Sequence, residues 1–147
     1  MNNRVKIELD AIPQNEGFAR VAVAAFITPL NPTLEEITDV KTAVSEAVTN
    51  AVIHAYEQKG GKIEICCELE NDLLHIRIRD WGTGIADVAK AMEPLYTSRP
   101  DLERSGMGFS FMEAFMDGLE VESAPGAGTC IYMEKKLGNA PWIECEE

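Results

Sequence analysis

Glu46 and Asn50 form the first pair able to do chemistry. Their i, i+4 spacing in a helical stretch puts both on one side of the helix. A carboxylate so placed can accept a proton from water or a hydroxyl. An amide oxygen can bind Mg2+, a hard cation that keeps waters and substrate phosphates as its other ligands. The surrounding Ala43, Val44, Ala47, Val48, Ala51, Val52 and Ile53 make the stretch apolar on nearly every side, the pattern of a helix covered on more than one face. The main stripe is Val40, Val44, Ala47, Val48 and Ala51, and the polar pair lies roughly opposite it. Two readings stand: a solvated polar stripe, or a covered pocket, toward which Ile53 on the same side points. His54, one turn on, reads as a structural hydrogen-bonding residue rather than a metal ligand.

Asp80-Trp81-Gly82-Thr83-Gly84 follows an alternating strand. Asp80 can accept a hydrogen bond from an exocyclic amine such as that of adenine, and Gly82 and Gly84 let the backbone approach a ring closely. A plain tight turn has the same composition. In Ser105-Gly106-Met107-Gly108-Phe109, glycines lead into a helix start, where free N–H groups and the helix dipole favour an anion. Arg99 and Arg104 stand in or beside the preceding loop and can reach phosphates, although helix starts often carry glycine for other reasons. Gly128-Thr129, at the start of a last strand, is uninformative alone.

The elements that must position these residues are legible in outline. Val5, Ile7 and Leu9 alternate as a strand, and Glu16 to Ile27 reads as a helix with Phe18, Val21, Ala22 and Ala25 on one side. Thr33 and Glu36 form a capping box that starts a second helix, expected to run to about Tyr56 and to stop at Gly60-Gly61. Ile63, Ile65, Cys67 and Leu69, then Leu74, Ile76 and Ile78, predict an antiparallel hairpin turning at Asn71-Asp72. Asp87 to Met92 reads as a short helix and Pro94 to Ser105 as a loop. Gly106 and Gly108 open a helix through Met116. Leu119–Glu122 and Thr129–Glu134 read as a last hairpin across Pro125-Gly126. Paired strands between helices predict an α+β, two-layer sandwich: a mixed, mainly antiparallel sheet with helices on one face.

Composition narrows the function. The 147 residues suit one domain, 46% of them are hydrophobic, and 13 basic against 25 acidic residues give 13 − 25 = −12. So acidic a chain repels phosphate backbones and anionic bilayers, which argues against nucleic-acid or membrane partners and suits a basic protein partner. Met1 to Asp10 carries no long apolar run, so neither an export signal nor a membrane span is expected. Cys66, Cys67, Cys130 and Cys145 contain no C-x-x-C pair, so a structural zinc is not expected and free thiols in a reducing cytoplasm are. Adjacent Cys66 and Cys67 should face opposite sides of their strand.

Taken in order, these signals resemble the ATP-binding (Bergerat) fold shared by gyrase, histidine kinases and MutL. Glu46-Ala47-Val48-Thr49-Asn50-Ala51 is similar to its N box, and Asp80 to Ile85 to its first glycine box. Ser105 to Phe109 resembles the second glycine box, Gly128-Thr129 the late threonine, and the segment between the boxes the ATP lid. The likeness covers about Leu34 to Met133. The second box is shorter than in gyrase, and Asn139 to Glu147 matches no pattern. With little beyond this domain, and with Pro94-Leu95-Tyr96-Thr97 and Arg104 to Phe109, the chain resembles the anti-sigma-factor serine kinases of spore-forming bacteria. Within that family it is most similar to the sporulation branch, with the general-stress (sigma-B type) branch as the neighbouring alternative.

The resemblance implies one ATP-binding kinase domain over 1–136 with a tail over 137–147, using ATP and Mg2+. It implies two partners, a sigma factor of the sigma-F type and an anti-anti-sigma protein phosphorylated on serine, together with a homodimer. By the same resemblance, Glu46 is the general base, Asn50 holds Mg2+, and Asp80 recognises adenine with Thr129 in support. Gly82 and Gly84 line the nucleotide. Ser105, Gly106, Met107, Gly108 and Phe109 belong to the phosphate cradle, and Arg99 or Arg104 contacts the γ-phosphate. Arg20, beside the apolar side of the first helix, is a candidate partner contact or an ordinary surface arginine. A module that uses ATP only to set its shape, and an acidic adaptor whose glycines are only turns, remain the rival readings.

Overall fold

The computed structural model describes residues 1–92 and 108–138. Strict alternation of apolar and polar residues builds five strands: β1 (Asn2–Asp10), β2 (Lys62–Glu70), β3 (Leu73–Asp80), β4 (Gly118–Ala124) and β5 (Gly128–Lys136). They form one sheet in the order β1-β2-β3-β5-β4, and every pairing is antiparallel. Among the described residues the sheet is wholly antiparallel, where a mixed, mainly antiparallel one was expected. β4 lies at the far edge and β5 fills the place beside β3.

Register turns the alternation into rows on the inner face. One row is Val5, Cys67, Ile76, Met133 and Leu119, and the next is Ile7, Ile65, Ile78, Ile131 and Val121. The third begins apolar with Leu9 and Ile63 and then turns polar with Asp80, Thr129 and Ser123. The outer face carries Lys6, Cys66, Arg77, Tyr132 and Glu120 in one row, and Arg77, Tyr132 and Glu120 are exposed. Cys66 and Cys67 therefore face opposite sides as expected, and both are free thiols. Burial, reinforced by Cys66, pushes the Cys67 thiol up to about 12.

Helices α1 (Gln14–Ile27), α2 (Leu34–Asn50) and α4 (Gly108–Phe115) cover the inner face, with α2 packed between the other two, and α3 (Val88–Ala91) is a single short turn. α2 is central because Val40, Ala43, Val44, Ala47 and Val48 are all within 1% of full burial. It starts at the expected capping box: the Glu36 N–H donates to Thr33 Oγ1 at 3.0 Å, and the Thr33 N–H donates to Glu36 Oε1 at 2.8 Å. Glu36 Oε1 also accepts from the Gly138 N–H at 3.3 Å, just beyond the fully buried Leu137. Lys135 ties the far end of α4 to α2, donating to Phe115 O at 2.6 Å and pairing with Asp39 at 3.6 Å.

One expectation is corrected and another refined: the second helix extends to Ala55, close to the expected Tyr56, but changes geometry on the way. On α1, Ala19, Val23 and Ile27 are buried, whereas Phe18 and Val21 are 56% and 59% exposed. The helix is apolar almost all round, so periodicity does not choose a face. Packing against α2 buries the side that carries Ala19, Val23 and Ile27 and leaves Phe18 and Val21 outside. The second helix keeps α-geometry only to Asn50 and then widens into a π turn over Ala51–Ala55, with the Tyr56 N–H donating to Ala51 O at 3.1 Å. A π turn is a feature frequent at functional sites.

Thr33→Ala removes one half of the capping box and should lower stability by about 1 kcal/mol in urea unfolding. Glu36→Ala should cost more, because it strands the Thr33 and Gly138 N–H groups together. Equal losses for the two variants would contradict the double role of Glu36.

Candidate functional site

The site grows from the polar end of the third row. Asp80 is 6% exposed and Thr129 7%, and the two are direct partners across β3 and β5. Among the described residues, both hydrogen bonds to the Asp80 carboxylate end on Oδ1: from the Gly82 N–H at 3.0 Å and the Thr129 N–H at 3.2 Å. Burial pushes the carboxyl above its ordinary range, and the two backbone donors pull it part of the way back. A buried carboxylate with one saturated oxygen offers the other as an acceptor. That is the acceptor an exocyclic amine requires.

The loop after Asp80 is pinned at each step. The Trp81 N–H donates to the Tyr56 hydroxyl at 2.7 Å, and that hydroxyl donates to Lys62 O at 2.7 Å. The Thr83 N–H donates to Ala55 O at 2.9 Å, and the Ile85 N–H to Ser123 Oγ at 2.7 Å. Two glycines make this path possible. A Cβ at Gly82 would collide with Ala55 O, and Gly84 combines a φ of +78° with a backbone so close to Ala124 O that no side chain fits. These contacts support the tight-turn reading of the two glycines, which bring the loop against the protein's own backbone.

The Ala55–Thr83 bond sets this loop on the π turn that directly follows Asn50. Asn50 and Glu46 are half-buried, so neither side chain stands fully in solvent. The Nδ2 atom of Asn50 is buried and, among the described residues, has no hydrogen-bond partner. An orphaned buried amide is costly unless a ligand satisfies its side chain. It fits a site that binds a polar group, and its amide oxygen is a chemically suitable ligand for Mg2+.

Of the remaining expected residues, Gly108 opens α4 and Phe109 packs against the core. Arg99, Arg104, Ser105, Gly106 and Met107 lie outside the described residues. Arg20 sits on α1, away from the Asp80 loop in sequence and in element. Its Nη1 lies 3.6 Å from Glu16 Oε2, which also accepts from the Ser45 hydroxyl at 2.9 Å. Two residues escaped sequence reasoning. Tyr56 carries only the end of a helix in the sequence pattern. Ser123 lies one residue past the expected Leu119–Glu122 strand, and only the β4–β5 register sets it opposite Thr129.

Asp80→Asn tests the burial cost directly. With its folded pKa raised, Asp80 favours the fold below about 3.8, and that contribution is lost as pH rises through the folded value. At pH 7 the neutral amide should therefore match or exceed the parent in Tm, and the gap should close as pH falls toward 4. Nucleotide binding, followed by calorimetry, should weaken in the same variant. A Tm gap that widens on acidification would refute the assignment.

Residues 10–135 match the histidine kinase-like ATPase domain family. The chain is 60% identical over 137 residues to an anti-sigma F factor of Clostridium acetobutylicum, covering 93% of this chain and 96% of that one. It is 53% identical over 144 residues to the anti-sigma F factor of Oceanobacillus iheyensis, covering 97% and 99%. The catalytic domain of the histidine kinase ThkA shares the fold, with a TM-score of 0.52 at 18% identity over 90% of this chain and 96% of that one. The chain belongs to the histidine kinase-like ATPase domain family, and within it to the group of anti-sigma F factors.

Proposed function

We propose that the chain binds and inhibits a sporulation sigma factor of the sigma-F type and phosphorylates an anti-anti-sigma protein on serine with MgATP. The observation that carries this reading is the combination of a buried Asp80–Thr129 pair with the orphaned Asn50 amide, joined through the Ala55–Thr83 bond. The relatives' names favour the sporulation branch over the general-stress branch. A single kinase domain over 1–136 fits the same reading, with the tail over 137–147 anchored where Leu137 enters the core.

In this reading Asp80 accepts from the adenine amine, Thr129 supports it, and Gly82 and Gly84 keep the loop close. Ser105, Gly106, Met107, Gly108 and Phe109 cradle phosphate, and Arg99 or Arg104 contacts the γ-phosphate. Asn50 holds Mg2+, which supplies charge neutralisation on the phosphates. Glu46 takes the proton of the incoming serine hydroxyl as its oxygen bonds the γ-phosphorus and the bond to the departing ADP oxygen breaks. Exposed Phe18 and Val21 flank Arg20 on α1 and give the partner an apolar and cationic surface. The assembly is a cytoplasmic homodimer. No described helix is long and apolar enough to cross a membrane.

Glu46→Gln should lower phosphate transfer to the anti-anti-sigma serine by at least about a hundredfold while leaving ATP affinity within about twofold, because it removes the base and keeps the shape. Radiolabelled ATP and a nucleotide-binding titration measure the two quantities. Normal transfer by this variant would remove Glu46 from its role.

A further inference from the structure

Ser123 makes three hydrogen bonds from one hydroxyl. It accepts from the Ile85 N–H at 2.7 Å, donates to Gly128 O at 2.9 Å, and lies 2.8 Å from Thr129 Oγ1. A hydroxyl has one proton and two lone pairs. Ile85 takes one lone pair. Gly128 O can only accept, so it takes the proton. What remains for Thr129 is the second lone pair, and the Thr129 hydroxyl must therefore donate to Ser123. Its own proton is consumed in that bond, and it can offer a ligand only lone pairs.

We infer that Ser123 is a positioning residue that makes the Asp80–Thr129 side-chain pair acceptor-only and so selects purines carrying an amine, not a carbonyl, at the 6-position. The inference rests on reading Asp80 and Thr129 as the base-recognition pair. Asp80 is an acceptor through its carboxylate, and Thr129 is held as an acceptor by Ser123. A 6-amino purine meets two acceptors with its N–H groups. A 6-oxo purine meets them with a carbonyl oxygen and is repelled. Ser123 also closes a ring of bonds around the loop. Ile85 ties the loop's far end to Ser123, Ser123 holds Thr129, and the Thr129 N–H holds Asp80, at which the loop begins. Freed from Ser123, the Thr129 hydroxyl can rotate and donate, which removes the penalty against a carbonyl.

The test compares the affinity of the full chain for ATP and for ITP, which differ at the 6-position and at N1 (a lone pair in ATP, an N–H in ITP), in the parent and in Ser123→Ala, Ser123→Cys and Ser123→Thr. The parent should prefer ATP. Ser123→Ala should cut the ATP-to-ITP preference by about tenfold or more, chiefly by sparing or improving ITP binding. Ser123→Cys keeps the side-chain volume with a weak hydrogen-bonding thiol, so it should lose the preference too and serves if the alanine variant does not fold. Ser123→Thr restores a hydroxyl and should restore the preference. If the parent prefers ATP and the alanine or cysteine variant keeps the full ratio, Ser123 has no such role. If the parent itself binds both nucleotides equally, the base-recognition pair is misassigned and the inference falls with it.

Discussion

A carboxylate buried at the end of an otherwise apolar sheet row is the constraint around which this molecule is arranged. Asp80 occupies a position that alternation assigns to the core, in phase with Leu74, Ile76 and Ile78. Removing a charge from water is costly, and only well-placed donors offset it. Two backbone N–H groups do so here, from Gly82 and Thr129, and both converge on one oxygen. The arrangement requires the chain to turn sharply after β3 and requires β5 to lie beside β3 in a single register. A one-residue slip would put an outward-facing side chain opposite Asp80 and break the pairing.

The rest of the structure supports that corner. The π turn after Asn50 aims Ala55 O at the Thr83 N–H and brings the Tyr56 hydroxyl between Lys62 O and the Trp81 N–H. The helix that carries Glu46 and Asn50 and the loop that carries Asp80 are therefore joined by backbone geometry rather than by long flexible side chains. Trp81 is held from outside as well: the Lys62 ammonium lies 4.5 Å and the Arg79 guanidinium 4.9 Å from its ring. Under the proposed function, phosphoryl transfer depends mainly on positioning and charge neutralisation, a need that a rigid link between the Asp80 loop and the helix of Glu46 and Asn50 would serve.

α1 has a different balance. Ala19, Val23 and Ile27 are buried, while Phe18 and Val21 stay outside beside Arg20. The Glu16 carboxylate holds both Arg20 and the Ser45 hydroxyl, so the outer helix and the helix of Glu46 share one hydrogen-bonded junction. Ion pairs this exposed contribute little to stability. Their value lies in orientation, since they fix which side of α1 carries the cation.

Much of this was readable from residue order. Period-two alternation defined the strands, the Thr33–Glu36 capping box defined the start of α2, and the ordered boxes pointed to the ATP-binding fold. These are local signals, carried by neighbours a few residues apart. The face of α1 was not readable, because an alanine-rich helix with apolar residues all round has no dominant side until a partner helix selects one. Nor was the role of Ser123, which is six residues from Thr129 in the chain and becomes its partner only through the β4–β5 register. The sequence alone thus determined which elements form and which residue types are available for nucleotide chemistry. Tertiary structure decided which of them share a rung, because cross-strand pairing and helix packing depend on contacts that local periodicity does not encode.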